Sequence, residues 1–565
     1  MNIRLYISAL EDLKGIEPRV LTLPGFFKYV TQKYSSAPAL IYHEQEVAYQ
    51  ELLEDAYMVA SGLKQLGAGK GTRVGVLLSN SPTWVTSVYG AAMLGCIVVP
   101  ISTFSSPSEL AYIVSHADIS FLIFQNVLAK RRYLDDLLAI FGDLFEKGYD
   151  LRAPFLRKLI CVDTGYDASC FVNWNDFCRM AAAVPHDLID SAIDQVVPGD
   201  DALILYTSGT TSFPKGVLHL QRTPCIQSIR WASELNLKQG SVAFTSFPFF
   251  WSAGFAKALG STLWSGSTLV VQDVFDPRDA MLQIEKHRVS VMHVPVHHGA
   301  EIAEQPDFDL HDLRSVENIE PGPLAARLGL PEDHPFPSAA YGLTETFTIV
   351  SSINSSAPYE LRKTTHGKAL PGCEIKIFSE DGKSEVAVGE IGEIAVRGIV
   401  LMRGYYKTMP EECFDEQGYF HTGDAGYFDQ QGYLHWTGRM TNMIKSGGAN
   451  VSPVEIQDEL AKWGVIKVSV AFGVPHPTLG EAVVLCVVPN EGIAISEEDV
   501  KNYLRGKKAA YKIPRRVFII SMDEVPVTGT DKVRFEELKK RVITYLANDT
   551  NDVEWAKFLQ KVGEK

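Results

Sequence analysis

A loop rich in hydroxyl groups lies between a short apolar run and a lysine. The run Ala202-Leu-Ile-Leu-Tyr206 predicts a buried strand, and five hydroxyl side chains, Gly209 and Lys215 follow it. Small residues let backbone N–H groups approach an anion closely, while hydroxyls and an ammonium add further donors. The order differs from the G-x-x-x-x-G-K-[ST] phosphate loop, because Lys215 precedes its glycine. Since the loop directly follows a buried strand, it favours phosphate binding over a flexible Ser/Gly linker.

Further short motifs follow this loop along the chain. They are Tyr341-Gly-Leu-Thr-Glu345, His421-Thr-Gly-Asp424 with Gly438-Arg439, the stretch 444–451, and Pro526-Val-Thr-Gly-Thr-Asp-Lys532. Alone, each has an ordinary structural explanation, such as a helix cap, a Gly-Asp turn or a solvated lysine. In this order they resemble the adenylate-forming superfamily, in its branch of acyl-CoA synthetases and other acid–thiol ligases. The resemblance extends over about residues 25–540.

The resemblance implies that the chain binds ATP and Mg²⁺. It assigns Tyr341 to adenine, Thr344 to the α-phosphate and Glu345 to Mg²⁺, an ion that prefers hard carboxylate oxygens. Asp424 and Arg439 would contact the ribose, whose two hydroxyls a carboxylate can hold. The implied ATP-binding residues are Thr207, Ser208, Gly209, Thr210, Thr211, Lys215, Gly322, Pro323, Tyr341, Gly342, Thr344, Asp424, Arg439 and Lys532.

The implied reaction has two steps, catalysed with Lys532, Thr344 and Glu345. Lys532 would bridge the attacking carboxylate and the α-phosphate, because one ammonium offsets the repulsion between two anions. A small C-terminal domain would then rotate about a hinge at Thr441. The rotation would bring a loop that lines the path of the coenzyme A thiol, formed by Lys445, Ser446, Gly447 and Gly448.

The acid is predicted to be apolar, either fatty or aryl. The segment around Phe250, Trp251 and Gly254 is rich in aromatic residues, which is typical of an apolar pocket, and core packing explains any one of them equally well. The segment has no aspartate of the kind that holds an amino group, which argues against an amino-acid substrate. His297 and His298 are adjacent and have no third ligand spaced with them, so we interpret them as lining or structural residues.

Three departures from the family pattern leave alternatives open. Glu320-Pro321 replaces small residues, Thr441-Asn442 replaces the usual acidic or basic hinge residues, and Asp531 replaces a glycine beside Lys532. An acyl-AMP ligase that loads a carrier-protein phosphopantetheine is one alternative. A non-catalytic nucleotide-binding relative is the other.

The elements that must position these residues indicate an α/β fold. Short apolar strands at 74–78, 96–101, 202–206, 267–271 and 290–294 alternate with helical segments, as stacked α/β sheet layers require. We predict a large N-terminal domain, 1–440, whose part from about 376 to 440 is β-rich. A small mobile α+β domain, 441–565, would follow. It would contain helices at 454–462, 497–504 and 535–546 and strands at 465–474 and 482–488.

The composition argues against several classes of partner. The chain has 565 residues and a net charge of −15, which disfavours nucleic acid and anionic membranes. The stretch 74–108 has no charged residue, but Asn80, Ser81, Pro82 and Pro100 interrupt it, so we predict no membrane span. The eight cysteines are scattered, which favours a cytoplasmic protein with reduced thiols. The resemblance implies that the partners are a carboxylic acid, ATP and coenzyme A; an acyl carrier protein and a homodimer stay open.

Overall fold

The computed structural model describes residues 10–563 except 208–213, 335, 337–339, 380, 383, 447–448, 506, 509–511, 528–532 and 550–551. The chain forms two compact units, the first being 1–375 with 396–420 and the second 376–395 with 421–565. The segments 376–395 and 421–440 thus group with the C-terminal residues, and the domain boundary at 441 stays a prediction. The predicted residues Ser208, Gly209, Thr210, Thr211, Gly447, Gly448 and Lys532 lie outside the described residues. Of Thr441 and Lys445 only the backbone is described.

An eight-stranded sheet forms one layer of the first unit. Six of its strands are parallel, as the apolar runs predict, and two antiparallel strands, Lys215–Leu220 and Gly404–Tyr405, complete one edge. The strand order is Gly404–Tyr405, Lys215–Leu220, Asp201–Thr207, Ile97–Pro100, Arg73–Leu77, Phe121–Phe124, Lys158–Cys161 and Phe171–Asn173.

A five-stranded sheet forms a second layer of the first unit. Its strand order is Val291–His293, Val242–Thr245, Thr268–Val271, Pro38–Tyr42 and Gln45–Ala48, and only the last strand is antiparallel. Smaller sheets pair Ala340–Gly342, Ile349–Ser352 and Lys368–Ala369, and Val127–Leu128 with Arg131–Arg132.

The uncharged stretch of the sequence folds as a strand, a helix and a parallel strand, as predicted. The helix Pro82–Met93 begins at Ser81, whose hydroxyl accepts a hydrogen bond from the Trp84 N–H at 3.1 Å. The helix is buried from Trp84 onward on every face. A helix that is apolar all round belongs in the core of a large domain, which explains why it lacks a polar stripe.

Helices cover the sheets of the first unit. They are Leu23–Lys33, Tyr49–Gln65, Pro82–Met93, Pro107–His116, Tyr133–Ile140, Gly142–Lys147, Trp174–Ala181, His186–Ile193, Arg222–Glu234, Ser261–Ser265, Pro277–Lys286, Val296–Ala303, Pro323–Arg327, Tyr359–Thr364 and Pro410–Cys413. A π-helix occupies Ala253–Gly260, and 3₁₀ turns occupy Glu11–Leu13, Pro18–Leu21, Phe308–Leu310 and Thr344–Thr346.

The second unit contains an α+β layer close to the predicted one. Its sheet has the order Ala449–Val451, Ile444–Ser446, Gly480–Pro489 and Ile466–His476, and Arg516–Ile519 pairs in parallel with Gly480–Pro489. Its helices are Pro453–Ala461, Glu497–Leu504, Phe535–Leu546 and Val553–Gly563, with 3₁₀ turns at Met440–Asn442 and Met522–Glu524. The C-terminal half of the predicted β-rich segment contributes the hairpin Phe420–Phe428 and Leu434–Arg439, and the four-stranded sheet of 373–439 also includes Cys373–Phe378 and Gly392–Gly398.

Alternation along the long strands gives this sheet two apolar faces. Ala471 and Leu485 pack with the helix Pro453–Ala461, whereas Phe472 and Val484 pack with the two C-terminal helices. Successive side chains of a strand point to opposite faces, so one pair of strands supplies both cores.

In the part of the chain that the structure describes, no helix combines the length and apolar character that crossing a bilayer requires.

Candidate active site

The ends of a β-hairpin place Thr207 opposite Lys215. The strands Asp201–Thr207 and Lys215–Leu220 pair antiparallel, and Thr207 is the direct partner of Lys215. The hydroxyl-rich loop 208–213 joins these two positions along the chain. Lys215 is exposed, and its Nζ lies 4.7 Å from the centroid of the Tyr405 ring, within the range of a cation–π contact.

Tyr405 connects this lysine to the predicted metal ligand. It belongs to the edge strand Gly404–Tyr405, where Val217 is its partner across the sheet. Its hydroxyl donates a hydrogen bond to Glu345 Oε1 at 2.7 Å. The backbone supports the same position, because the Met402 N–H donates to the Glu345 carbonyl oxygen at 2.7 Å. One tyrosine therefore contacts both the Lys215 ammonium and the Glu345 carboxylate.

Sequence reasoning missed Tyr405. It stands 60 positions from Glu345, in a run with no recognised motif. Only the pairing of the edge strand brings the two residues together.

A buried histidine fixes the turn that carries Thr344 and Glu345. His219 Nε2 lies 2.8 Å from the backbone oxygen of Thr344, and since a carbonyl only accepts, Nε2 carries the proton and donates. Burial lowers the pKa of His219 to about 3, so the ring is neutral at physiological pH. The turn closes at Phe347, whose φ of 65° is uncommon for an aromatic residue and indicates a strained backbone.

Gly342 is required by the strand that precedes this turn. The strand Ala340–Gly342 pairs antiparallel with Ile349–Ser352. A Cβ on Gly342 would lie 1.6 Å from the backbone oxygen of Thr348, so no other residue fits. Tyr341 is buried in the same strand, and its contact with adenine stays a prediction.

A cavity of about 690 Å³ opens beside this turn. It is lined by Gly342, Leu343 and Thr344 and by other residues of the same unit, namely Trp231, Phe247, Ser252, Ala253, Lys257, Glu320, Pro321, Phe336, Ala340, Thr348 and Ile349. Its volume suits a small organic ligand, and most of its wall is apolar. A small acid in this cavity would have its carboxyl group within reach of the turn.

The predicted acid-binding residues lie next to this cavity and not on its wall, as far as the described residues show. Phe250 and Trp251 pack against Phe104, with ring centroids 5.7 and 6.4 Å away. Gly254 is buried where a Cβ would meet the Pro248 oxygen at 1.9 Å. Their role in binding the acid stays a prediction, while their neighbours Phe247, Ser252 and Ala253 line the cavity.

An ion pair that the sequence analysis did not assign lies on the cavity wall. Lys257 Nζ is 2.5 Å from Glu320 Oε1, and the lysine side chain is only 9% exposed. The lysine comes from the π-helix Ala253–Gly260, a widened turn of the kind that is frequent at functional sites. Glu320 is one of the residues that depart from the pattern of the resemblance, and it pairs with Lys257. Two positions later, Gly322-Pro323 begins the short helix Pro323–Arg327.

The adjacent residues His297 and His298 make packing contacts in this unit. His298 Nδ1 lies 2.8 Å from the Ser246 hydroxyl, and its ring stacks on Phe275 at 3.8 Å. His297 contacts the His298 ring edge-on at 4.4 Å.

In the second unit, the predicted ribose residues face each other across a hairpin. Asp424 and Arg439 are direct partners on Phe420–Phe428 and Leu434–Arg439. Arg439 Nε lies 3.0 Å from Asp424 Oδ1, and its guanidinium also donates to the Thr422 carbonyl oxygen at 2.9 Å. The carboxylate is 7% exposed and the arginine 55%, so the arginine holds a buried acceptor in place.

The segment after Arg439 places the predicted hinge and thiol loop on consecutive elements of the second unit. Thr441 lies in the 3₁₀ turn Met440–Asn442, and Lys445 and Ser446 lie in the strand Ile444–Ser446. Ser446 is buried.

Comparison with known proteins gives the family. The model of the AMP-binding enzymes matches residues 27–406, and the model of their C-terminal domain matches 455–532. The chain is 27% identical over 547 residues to YngI of Bacillus subtilis (strain 168), named as an acyl-CoA synthetase, which covers 92% of this chain and 97% of the relative. It is 29% identical over 520 residues to the indoleacetate–CoA ligase of Aromatoleum aromaticum, which covers 89% and 95%.

A solved structure confirms the predicted fold. The anthranilate CoA ligase AuaEII in complex with anthranoyl-AMP superposes with a TM-score of 0.76 over 92% of this chain and 97% of that one, at 23% identity. The chain belongs to the family of AMP-binding enzymes, which confirms the adenylate-forming superfamily, in its acyl-CoA synthetase branch, that its motifs predicted.

Proposed function

We propose that this chain joins a carboxylic acid to the thiol of coenzyme A at the expense of ATP. In the first step a carboxylate oxygen attacks the α-phosphorus, the bond to the bridging oxygen breaks, and pyrophosphate leaves. In the second step the thiol sulfur attacks the acyl carbon, loses its proton, and AMP leaves. The products are a thioester, AMP and pyrophosphate.

The proposal rests on Tyr405, which links Lys215 to Glu345 next to the cavity that Thr344 and Lys257 line (the acyl cavity). Lys215 and Glu345 both contact this residue, and Thr344 lines the cavity. A cation, a carboxylate and a cavity are thus present on one unit, where they would serve the departing phosphates, the magnesium ion and the acid. Together these are the parts that an attack of a carboxylate on a nucleotide requires.

Glu345 would hold the magnesium ion of Mg·ATP. Its Oε1 accepts the Tyr405 hydroxyl, which fixes the carboxylate, and a hard oxygen donor fits Mg²⁺. Bound Mg²⁺ neutralises charge on the phosphates. Asp424 and Arg439 would hold the ribose, and Lys532 would bridge the two reacting anions.

The proposed thiol transfer uses a rotation of the C-terminal domain about Thr441. The catalytic lysine and the thiol loop at 445–448 belong to the same small domain, so one would leave as the other arrives. A cytoplasmic location is part of the proposal, because all eight cysteines are described and are free thiols.

Product analysis tests the function. Acid-dependent pyrophosphate release is expected, with acyl-CoA formed when free coenzyme A is added. If acyl-AMP instead accumulates in the presence of coenzyme A and passes its acyl group to a carrier protein, the carrier-loading alternative replaces the proposal. No pyrophosphate release with any of the acids tested would fit the non-catalytic alternative.

Replacing the proposed bridging lysine tests the division of labour. Lys532→Ala should abolish acyl-AMP formation and spare the conversion of supplied acyl-AMP to thioester. Lys540→Ala, at an exposed position on the helix Phe535–Leu546, is the matched control and should change neither step. Equal losses in both steps of Lys532→Ala would show that the assignment is wrong.

A further inference from the structure

The acyl cavity contains a buried ammonium that the two reaction steps do not use. Lys257 Nζ has three N–H donors, and Glu320 is the one hydrogen-bond acceptor recorded for it among the described residues. Three aromatic rings also lie near the ammonium, with centroids at 5.0 Å for Trp231, 5.2 Å for Phe336 and 5.8 Å for Phe247. Rings stabilise the cation but fill no N–H direction as an oxygen does. The lysine therefore retains the capacity for another acceptor.

The position of this ammonium decides which part of a substrate it meets. Lys257 and Glu320 line the same cavity as Gly342, Leu343 and Thr344. Under the proposed function, the reacting carboxylate lies at the Thr344 turn. Lys257 then contacts the body of the acid, away from the carbon that reacts.

The charge of the ion pair limits what the acid can carry there. Lys257 and Glu320 together are neutral, so a second carboxylate would leave one uncompensated negative charge in a mostly buried place. An amino group would leave one positive charge. An uncharged oxygen adds no charge, accepts the free N–H of Lys257 and, if it is a hydroxyl, can donate to Glu320, which is 31% exposed.

We propose that Lys257, held in position by Glu320, selects a carboxylic acid whose otherwise apolar body has one uncharged oxygen. This oxygen belongs to a hydroxyl or a ketone group. The inference rests on the proposed function, since it names the class of acid for that site. It also gives Glu320 a role at a position where small residues are usual. A purely apolar acid would leave the N–H of Lys257 unpaired, and buried sites discriminate strongly against such analogues.

Matched pairs of acids test the selection. The probes are octanoate with 8-hydroxyoctanoate and 7-oxooctanoate, and 3-phenylpropanoate with 3-(4-hydroxyphenyl)propanoate, with octanedioate as the charged comparison. Acid-dependent pyrophosphate release gives kcat/KM. We expect at least one oxygenated acid to exceed its parent by about 10- to 100-fold, as one hydrogen bond to a buried charged group allows.

Variants separate selection from a structural role. Lys257→Met should remove the preference, so that each oxygenated acid and its parent have about equal kcat/KM, because the new side chain has a similar length but no N–H donor. Lys286→Met, at an exposed lysine that pairs with Glu44, is the control and should keep the preference. An equal loss for both members of each pair in Lys257→Met would assign the ion pair to folding alone and overturn the proposal.

Glu320→Gln provides a second test that keeps the lysine. It leaves the cavity with one positive charge, so octanedioate should gain about tenfold in kcat/KM relative to octanoate. No gain for octanedioate would contradict the charge argument. If the wild-type enzyme prefers the parent acids to the oxygenated ones, the proposed selection is wrong.

The two levels of the proposal fail differently. No pyrophosphate release with any acid refutes the ligase function, whereas release without oxygen preference refutes only the role of Lys257. Calorimetric titration of the same acid pairs measures the preference at equilibrium, so it decides the selection even for a protein that does not turn over.

Discussion

Replacing Tyr405 by phenylalanine removes one hydroxyl and leaves the ring in place. The hydroxyl donates to Glu345 Oε1 at 2.7 Å, and the ring lies 4.7 Å from Lys215 Nζ. A hydrogen bond to a charged group contributes about 1.5–3 kcal/mol, of which water recovers a part at this partly exposed carboxylate. We therefore use the lower bound, which corresponds to about a tenfold loss in rate.

The assay is acid-dependent pyrophosphate release at varied ATP and Mg²⁺. Tyr405→Phe should lower kcat/KM for ATP about tenfold and raise the Mg²⁺ concentration needed for half-maximal rate, because Glu345 loses its fixed orientation. Thermal unfolding should be unchanged within a degree or two.

The next residue provides a matched control. The Tyr406 hydroxyl donates to Asp118 Oδ2 at 2.9 Å, so Tyr406→Phe removes the same kind of hydrogen bond without touching Glu345. It should leave kcat/KM and the Mg²⁺ response unchanged. Equal effects of the two variants, or a wild-type Mg²⁺ response in Tyr405→Phe, would refute the reasoning.

Two further predictions concern stability. Gly90→Ala should lower the unfolding temperature by several degrees, because a Cβ there would lie 2.6 Å from the Ala56 backbone oxygen and overpacking costs about 1–3 kcal/mol. Gly69→Ala is the control and should leave the unfolding temperature unchanged, because a Cβ at Gly69 would meet nothing within 4 Å. Burial lowers the pKa of His219 and of His293 to about 3, with Lys257 adding to the effect at His293, so below about pH 6.5 the unfolded chain takes up protons that the folded chain does not. Each histidine should therefore lower the free energy of unfolding by up to about 1.4 kcal/mol per pH unit as the pH falls from 6.5 toward 3. Between pH 7 and 5, the unfolding temperature of His219→Gln should fall less than that of the wild type. An equal fall would contradict the prediction.

Local patterns predicted many of the elements closely. The helices at 497–504 and 535–546 have the predicted ends, and the strand–helix–strand unit after residue 73 differs from the prediction by one or two residues at each end. These elements depend on apolar spacing and on turn residues, both of which are local in the sequence. The strand Lys215–Leu220 was not predicted, because a proline, a lysine and a glycine at its start indicate a turn.

The sequence predicted the residue types of the candidate site better than it predicted the contacts between them. Asp424 and Arg439 were expected to act together, and the hairpin register makes them partners. The acid-binding role of Phe250 and Trp251 stays a prediction, whereas Phe247 and Lys257 from the same segment line the cavity. Aromatic content shows that a segment is apolar, yet it does not show which side chains face a cavity.

The sequence by itself determined the family, the order of the motifs and the α/β character, because each depends on residues that are close along the chain. The tertiary structure alone decided that Tyr405 contacts Glu345 and that Lys257 pairs with Glu320, across 60 and 63 positions. The first contact depends on the pairing of an edge strand and the second on the packing of a π-helix. No local pattern encodes either arrangement, because both depend on how distant segments of one unit pack together.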